Sequence, residues 1–342
     1  MCPVKINAVV LKMKRLSKYF DFQISGFLLG MFLFLVVGCK KKDETEKSIA
    51  QTQINLEIQR FDREFAEAGP GDIPGLKSKF PYLFPSQYSD SIWIAKLTDT
   101  IQTELSNEVN VVFGTFSEES EALKSLFRHI AYYFPGYFVP KVVTLTSDVR
   151  YEDRIILTDS LLLIGLDNYL GKDHHFYRSI PRYIASNLDK TYLTSDIASA
   201  FTKTVLQYPR NRTFLSKMVY YGKELYIKDK ILPENSDARK INYSQEQMDW
   251  AQANEEQIWR YFVERELLYN TDPKLDRRFL DPAPFSKFQL ALDNESPGRL
   301  GRYMGWQIVR AFMEKNPSIA LVDLLDTPAD ELFKKSNYKP KR

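Results

Sequence analysis

Histidine and cysteine, the side chains that most often serve as metal ligands, general bases and nucleophiles, are scarce in this 342-residue sequence. The histidines are His129, His174 and His175, and the cysteines are Cys2 and Cys39. Asp173, His174 and His175 have the donor types of a zinc site. Neighbouring side chains on a strand point apart, however, and no second ligand cluster stands elsewhere in the chain. His129 falls beside the apolar stripe of a helix and reads as a packing residue. HExxH, GxSxG, a P-loop and GxGxxG are all absent. A serine nucleophile would need one of the three histidines as its base. Among the carboxylates, Glu255-Glu256 is the most suggestive pair, yet its ordinary reading is a solvated helix face. No metal and no cofactor are therefore expected. The many tyrosines, Tyr220 and Tyr221 among them, could line a groove for glycan or peptide, although aromatics at helical spacing usually fill a core.

Cys39 has a chemistry of a different kind. Residues 24–37 read ISGFLLGMFLFLVV and follow Lys12, Lys14, Arg15 and Lys18, the basic-then-apolar order of a secretory signal. The run falls short of the about 20 apolar residues that span a bilayer. Its end, Val36-Val37-Gly38-Cys39, resembles the bacterial lipobox, in which the cysteine is lipidated and becomes the first residue of the mature chain. The expectation is a signal peptide over 1–38, a flexible tether over 39–53 that begins KKKDETEK beyond Cys39, and one globular domain over 54–342. Either Met1 or Met13 would serve as the start. Lys40 rather than Asp follows Cys39, which favours the outer membrane, with the periplasmic face ahead of the cell surface.

The overall charge is +3, and residues 1–38 contribute four positive charges net, so the remainder is close to neutral at −1. That leaves no basic excess to engage nucleic acid. Cys2 falls in the leader and Cys39 would carry lipid, so the mature domain has no disulfide and no thiol. Its 304 residues can bury a core large enough to do without one.

The elements that must position any site read as α+β and mostly helical. INLEIQRFDREF alternates at Ile54, Leu56 and Ile58, as a strand does. KVVTLTSD (141–148) and RIILTDSLLLIGLD (154–167) predict a hairpin or small sheet. A helix is predicted over 90–109, and another capped by Ser117 with Leu123, Leu126, Phe127, Ile130 and Phe134 on its apolar face. Beyond residue 190 the chain reads as helical throughout. Thr194 or Ser195 caps a helix to Leu206, residues 213–231 form a helix apolar on most faces, and Ser244 opens one running to about Leu268. A further helix spans Gly301 to Lys315, and Thr327-Pro328 opens the last.

Several of these stretches together resemble a known family. Besides the lipobox cysteine they are RFDREF (60–65), LLLIGLDNYLG (161–171), IPRYI (180–184), NEEQIWRYFVERELLY (254–269) and SPGRLGRYMGWQIVRAFM (296–313). The sequence is similar to the GldB-type gliding motility lipoproteins of the Bacteroidetes from about residue 54 to the C-terminus. IGLDNYLG and PGRLGRYMGWQIVR are the most specific pieces. The resemblance implies a lipid-anchored envelope protein of the gliding apparatus, with other envelope proteins of that machinery as partners. A remoter likeness is to predicted zinc proteases of the zincin type, whose first helix carries HExxH and whose second supplies a Glu. In FLSKMVYYGKELYI (214–227) the histidine positions hold Tyr220 or Tyr221, followed by Lys223 and Glu224, and Glu256 alone cannot hold zinc. This likeness implies a non-catalytic, degenerate zincin-like domain. Tyr220, Tyr221, Lys223, Glu224 and Glu256 would border a binding groove between the 213–231 and 244–268 helices. The rival is an envelope peptide or glycan hydrolase working through carboxylates.

Overall fold

The computed structural model describes residues 44–290 and 293–341. Cys39 and the signal peptide expected over 1–38 lie outside the described residues. The chain divides into two compact units, Met1–Gln53 and Ile54–Arg342. In the first, residues 44–51 form a helix (α1), where a tether without regular structure was expected. Glu44 and Glu46 in its first turn favour the positive end of the helix.

The second unit is built on a four-stranded sheet ordered β1-β2-β4-β3, with β1 Ile58–Arg60, β2 Lys141–Leu145, β3 Ile155–Leu157 and β4 Leu161–Gly165. β1 and β4 both run parallel to β2, and β3 pairs antiparallel with β4. The expected hairpin is therefore β3–β4, while β2 joins β4 only through a crossover. The expected first strand shortens to three residues. Ile54 and Leu56 lie half-buried against the main core before it begins. Alternation along β2 serves two cores. Val142 faces the main core, whereas Val143 faces a smaller cluster with Phe61, Phe65, Ile73, Phe80 and Phe84. A strand covered on both faces reads as a continuous apolar run, which is why VV stands at its centre.

That smaller cluster is closed by α2 Phe61–Ala66, α3 Ile73–Lys79 and α4 Asp90–Leu97. The helix predicted over 90–109 breaks at Thr98-Asp99. Asp99 accepts from the Gln102 amide at 2.8 Å and so caps α5, Thr100–Phe113. In α6, Ser117–Tyr133, the predicted face Leu123, Leu126, Phe127 and Ile130 is buried, and Phe134 caps its end. Its N-cap is Phe116, at φ 60°, rather than Ser117.

After the short α7, Arg182–Ala185, the helical half begins with α8, Leu193–Val205. Ser195 does not cap this helix. Fully buried, it donates to the Lys240 carbonyl at 3.2 Å. The centre of the molecule is α9, Phe214–Ile231, capped by Thr213 and buried at 13 of its 18 positions. Around it stand α10 Asp237–Ile241, α11 Gln245–Ala253, α12 Glu255–Glu264, α13 Lys274–Phe279, α14 Leu300–Lys315, α15 Leu321–Asp326 and α16 Ala329–Ser336. The single helix expected from Ser244 is the pair α11 and α12, interrupted at Asn254, whose side-chain amide donates to the Trp250 carbonyl at 2.8 Å. α14 lies directly against α9, and α12 packs on α14. Among the described residues, no helix is long and apolar enough to cross a membrane.

Candidate functional site

One face of α9 turns Tyr220, Tyr221, Glu224, Leu225 and Lys228 into a cavity of about 500 Å³. Residues three and four apart share a helix face, so this spacing follows from the helix itself. α8 supplies Asp196, Ser199 and Lys203, and the end of α10 supplies Lys240 and Asn242. The approach to β3 adds Glu152 and Arg154, and the start of α14 adds Arg299 and Arg302. The walls carry six cationic side chains (Arg154, Lys203, Lys228, Lys240, Arg299, Arg302) against three acids (Glu152, Asp196, Glu224). This positive excess is concentrated in one place on a chain that is nearly neutral beyond residue 38.

The acids are engaged. Buried Asp196 accepts from Arg154 Nε at 2.7 Å, from the Tyr169 hydroxyl at 3.0 Å and from Asn242 Nδ2 at 3.0 Å. Burial works to raise its pKa, but Arg154, Asn242 and Lys228 outweigh burial and hold the carboxyl below its ordinary value. Glu224 accepts from Ser199 Oγ at 2.9 Å and stands 3.8 Å from Lys228 Nζ.

The cations divide into two groups. Arg154 is matched by Asp196, and Lys240 turns its ammonium to Asp229 at 3.0 Å and Asp237 at 3.6 Å, within a cluster completed by Arg310 and Trp306. Lys228, only 2% exposed, donates to the Lys240 carbonyl and to Ser195 Oγ, and burial pushes its ammonium down to about 8. Arg299 donates to the Asn242 carbonyl at 2.7 Å, and Arg302 donates to the Leu280 carbonyl while lying 3.8 Å over the Tyr221 ring. Neither arginine has a carboxylate within 4.0 Å among the described residues. Burial, and then the charge of Arg302, push the Arg299 guanidinium down to about 10.

Of the residues expected to border one groove, Tyr220, Tyr221 and Glu224 do line this cavity. Lys223 faces the other way and donates to the Leu325 and Thr327 carbonyls at 2.8 and 2.7 Å. Glu256 is half-exposed on α12 and paired with Arg260 at 2.8 Å. The expected groove between α9 and the 244–268 helices does not form, because α14 occupies that side of α9. The inward carboxylate of α12 is Glu255, and it too serves packing. It accepts from the Tyr303 and Tyr338 hydroxyls and from the Lys341 amide.

His174 and His175 stand at a 3₁₀ turn rather than on a strand. Their rings lie 4.4 Å apart and meet Glu108 and Glu104. His129 is buried, as its place on the apolar stripe predicts. Among the described residues, no group of three or more His, Cys, Asp or Glu side chains converges as a metal site would require.

Of the two most specific stretches of the sequence, one lines the cavity and the other supports its wall. In IGLDNYLG, Asp167 accepts from the Ser147 and Val149 amides and holds the turn after β2, while Tyr169 holds Asp196. In PGRLGRYMGWQIVR, Arg299 and Arg302 are wall residues, Gly305 lets α14 approach α9, and Gly301 makes room for Phe279 and Leu280 at the end of α13. Arg154, Asp196, Lys228, Arg299 and Arg302 were not among the residues expected to form a site. The available signal was the i, i+3 pair of arginines opening a helix directly after Pro-Gly.

Fold and cavity together define a mostly helical α+β protein, organised around a buried helix that walls a cationic, tyrosine-edged pocket. Over residues 42–340 the chain matches the family described as gliding motility protein GldB, and it belongs to that family. No curated protein and no solved structure matches it. Membership of this family implies involvement in gliding motility.

Proposed function

We propose that this chain is a lipid-anchored, non-catalytic component of the gliding apparatus, and that the α9 cavity binds a ligand without transforming it. The observation that carries this reading is one cavity, lined by the PGRLGRYMGWQIVR stretch and braced by Tyr169 of IGLDNYLG, whose buried acids Asp196 and Glu224 are both held by donors. Its lining contains no histidine or cysteine. A carboxylate acting as general base needs a pKa near the working pH. Asp196, buried in the wall, is shifted the opposite way. The anchor is Cys39; Lys40 after it favours the outer membrane, with the domain on the periplasmic side and other proteins of the gliding machinery as its partners.

α9 also carries Tyr220 and Glu224 four residues apart, where the first helix of a zincin has its two histidines. We read the domain as a degenerate relative of that class, with its ligand positions converted to wall residues. The rival reading is a hydrolase of envelope peptide or glycan. The two separate in a null strain complemented with Glu224→Gln, with protein level measured alongside. Retained gliding supports the binding reading, and complete loss at normal protein level supports the hydrolase.

A further inference from the structure

The cavity's charge balance names the class of ligand. Arg154 is neutralised by Asp196 and Lys240 by Asp229 and Asp237, all in direct ion pairs. Lys203 and Glu152 are exposed at the rim, one charge of each sign. The inner wall is left with Lys228, Arg299 and Arg302 against Glu224, an excess of two positive charges. Like charges sharing a partly dehydrated site repel, and such a cluster is stable only where something else holds it together. Here the holding is done by the backbone. Arg299 sits at φ 63° and Asn242 at φ 58°, both in the left-handed region, and the arginine donates to that asparagine's carbonyl. The Tyr221 ring lies under the Arg302 guanidinium. The side chains are thus fixed in advance of any counter-ion.

We propose that this cavity binds a phosphate monoester, with Arg299, Arg302 and Lys228 around the phosphoryl group and the tyrosine edge against the organic part. A dianion matches the excess of two, whereas a carboxylate would leave one charge uncompensated. Guanidinium forks suit phosphate oxygens geometrically, and in a low-dielectric wall they bind them more strongly than in water. Tyr220, whose hydroxyl burial pushes up to about 12, stays protonated and able to donate. A volume of about 500 Å³ exceeds a bare phosphate and lies within the range of small-molecule sites. The tyrosines Tyr208, Tyr220 and Tyr221, with neighbouring rings 5.0 and 5.1 Å apart and packed edge to face, give an aromatic rim for a sugar ring or an acyl stem. The monoester could come from a soluble sugar phosphate or from a lipid headgroup, and both present the same dianion. This proposal rests on the reading of the cavity as a binding site.

The test is calorimetry on the full chain in detergent, titrated at matched ionic strength with inorganic phosphate, glucose 1-phosphate, dihexanoyl phosphatidate and acetate. The expected result is saturable one-to-one binding of phosphate and of at least one organic monoester, with acetate at least tenfold weaker. Preference for glucose 1-phosphate assigns a soluble ligand, and preference for the phosphatidate assigns a headgroup. Arg299→Gln and Arg302→Gln should each weaken binding at least tenfold, and Glu256→Gln, remote from the cavity, should leave it unchanged. Arg302→Lys keeps the charge and the helix but loses the fork. It should weaken binding several-fold and serves as the folded control should a glutamine variant fail to fold. Equal affinity for acetate and phosphate overturns the proposal, as does native-like phosphate binding by a folded Arg302→Gln. Loss of gliding in Arg302→Gln without any phosphate binding by the wild type overturns the ligand class and leaves the binding reading standing. Catalytic dependence on Glu224 would remove the binding reading itself.

Discussion

A Cβ placed on Gly222 of α9 would lie 2.3 Å from the carbonyl oxygen of Gly305 on α14. The contact is reciprocal in kind, since a Cβ on Gly305 would lie 1.8 Å from the Met218 carbonyl. The two longest helices of the C-terminal half therefore cross backbone to backbone. That contact sets the distance at which Arg302, one turn before Gly305, rests on Tyr221, which precedes Gly222. Interior glycines cost about 1 kcal/mol each relative to alanine in a helix, and close packing of α9 on α14 offsets that cost.

Gly305→Leu should accordingly lower the melting temperature by several degrees, and Gly305→Ala should do so as well. Overpacking of this kind costs about 1–3 kcal/mol, and each kcal/mol is worth about 2–4 °C for a domain somewhat smaller than this one. Thermal melts of both variants check it. An unchanged or raised melting temperature would show that the helices can separate without cost.

Glu255 fastens the C-terminal segment to the core, through the Tyr338 hydroxyl at 2.8 Å and the Lys341 amide at 3.0 Å, and also holds Tyr303 on α14 at 2.7 Å. Glu255→Ala leaves three buried or half-buried donors without an acceptor, at about 1–3 kcal/mol each where no water replaces it. We expect the segment after α16 to become a site of early proteolysis while the α9 cavity still binds. Limited proteolysis followed by mass spectrometry would locate the first cut, and cleavage no faster than in the wild type would contradict the fastening role.

The helices were legible in the sequence where apolar residues recurred at helical spacing or ran unbroken, as in the stripe of α6 and the apolar run of α9. Boundaries failed where a local side chain competed with the helix, at Asp99 between α4 and α5 and at Asn254 between α11 and α12. Three of the five expected groove residues, Tyr220, Tyr221 and Glu224, were legible because they share one helix face, and helical spacing alone requires that. Glu256 was misplaced because a pair of adjacent glutamates on a helix points in two directions, and only the tertiary packing decides that Glu255 goes inward. The paired cations were hidden more deeply. Arg154, Asp196 and Arg299 are 42 or more residues apart in sequence, and the bonds that join them, through Tyr169 and Asn242, belong to the folded state alone.

The anchor prediction concerns Cys39. Cys39→Ala should abolish incorporation of a palmitate analogue and leave an unprocessed precursor. Each buried CH₂ of an acyl chain contributes about 0.8 kcal/mol to membrane attachment, so the variant should also be lost from the membrane fraction if the precursor is cut elsewhere. Equal labelling of the variant and the wild type would remove the lipoprotein assignment.

Two buried lysines should give the protein an unusual alkaline response. Burial pushes Lys223 down to about 8, against a weaker upward pull from Asp326. Lys228 is likewise pushed down to about 8, with Glu224 and Asp196 opposing and Arg299 and Arg302 reinforcing the shift. An unfolded lysine titrates at about 10.4. Below pH 8 both states carry the proton, and the folded state bears the full penalty of the buried charge. Between about 8 and 10.4 the folded protein has released protons that the unfolded chain still binds, so these groups make stability rise with pH. The gain is bounded above by the tyrosines. Their folded values are raised, Tyr220 to about 12, so their share of the stability is whole below about pH 10 and falls away as pH climbs through the folded values. Urea melts from pH 7 to 9.5 should therefore show stability holding level or rising. Lys223→Met removes one of the two contributions and should flatten the rise by about half. A decline in stability across that range in the wild type, or an identical slope in Lys223→Met, would show that these ammonium groups keep their ordinary pKa in the folded chain.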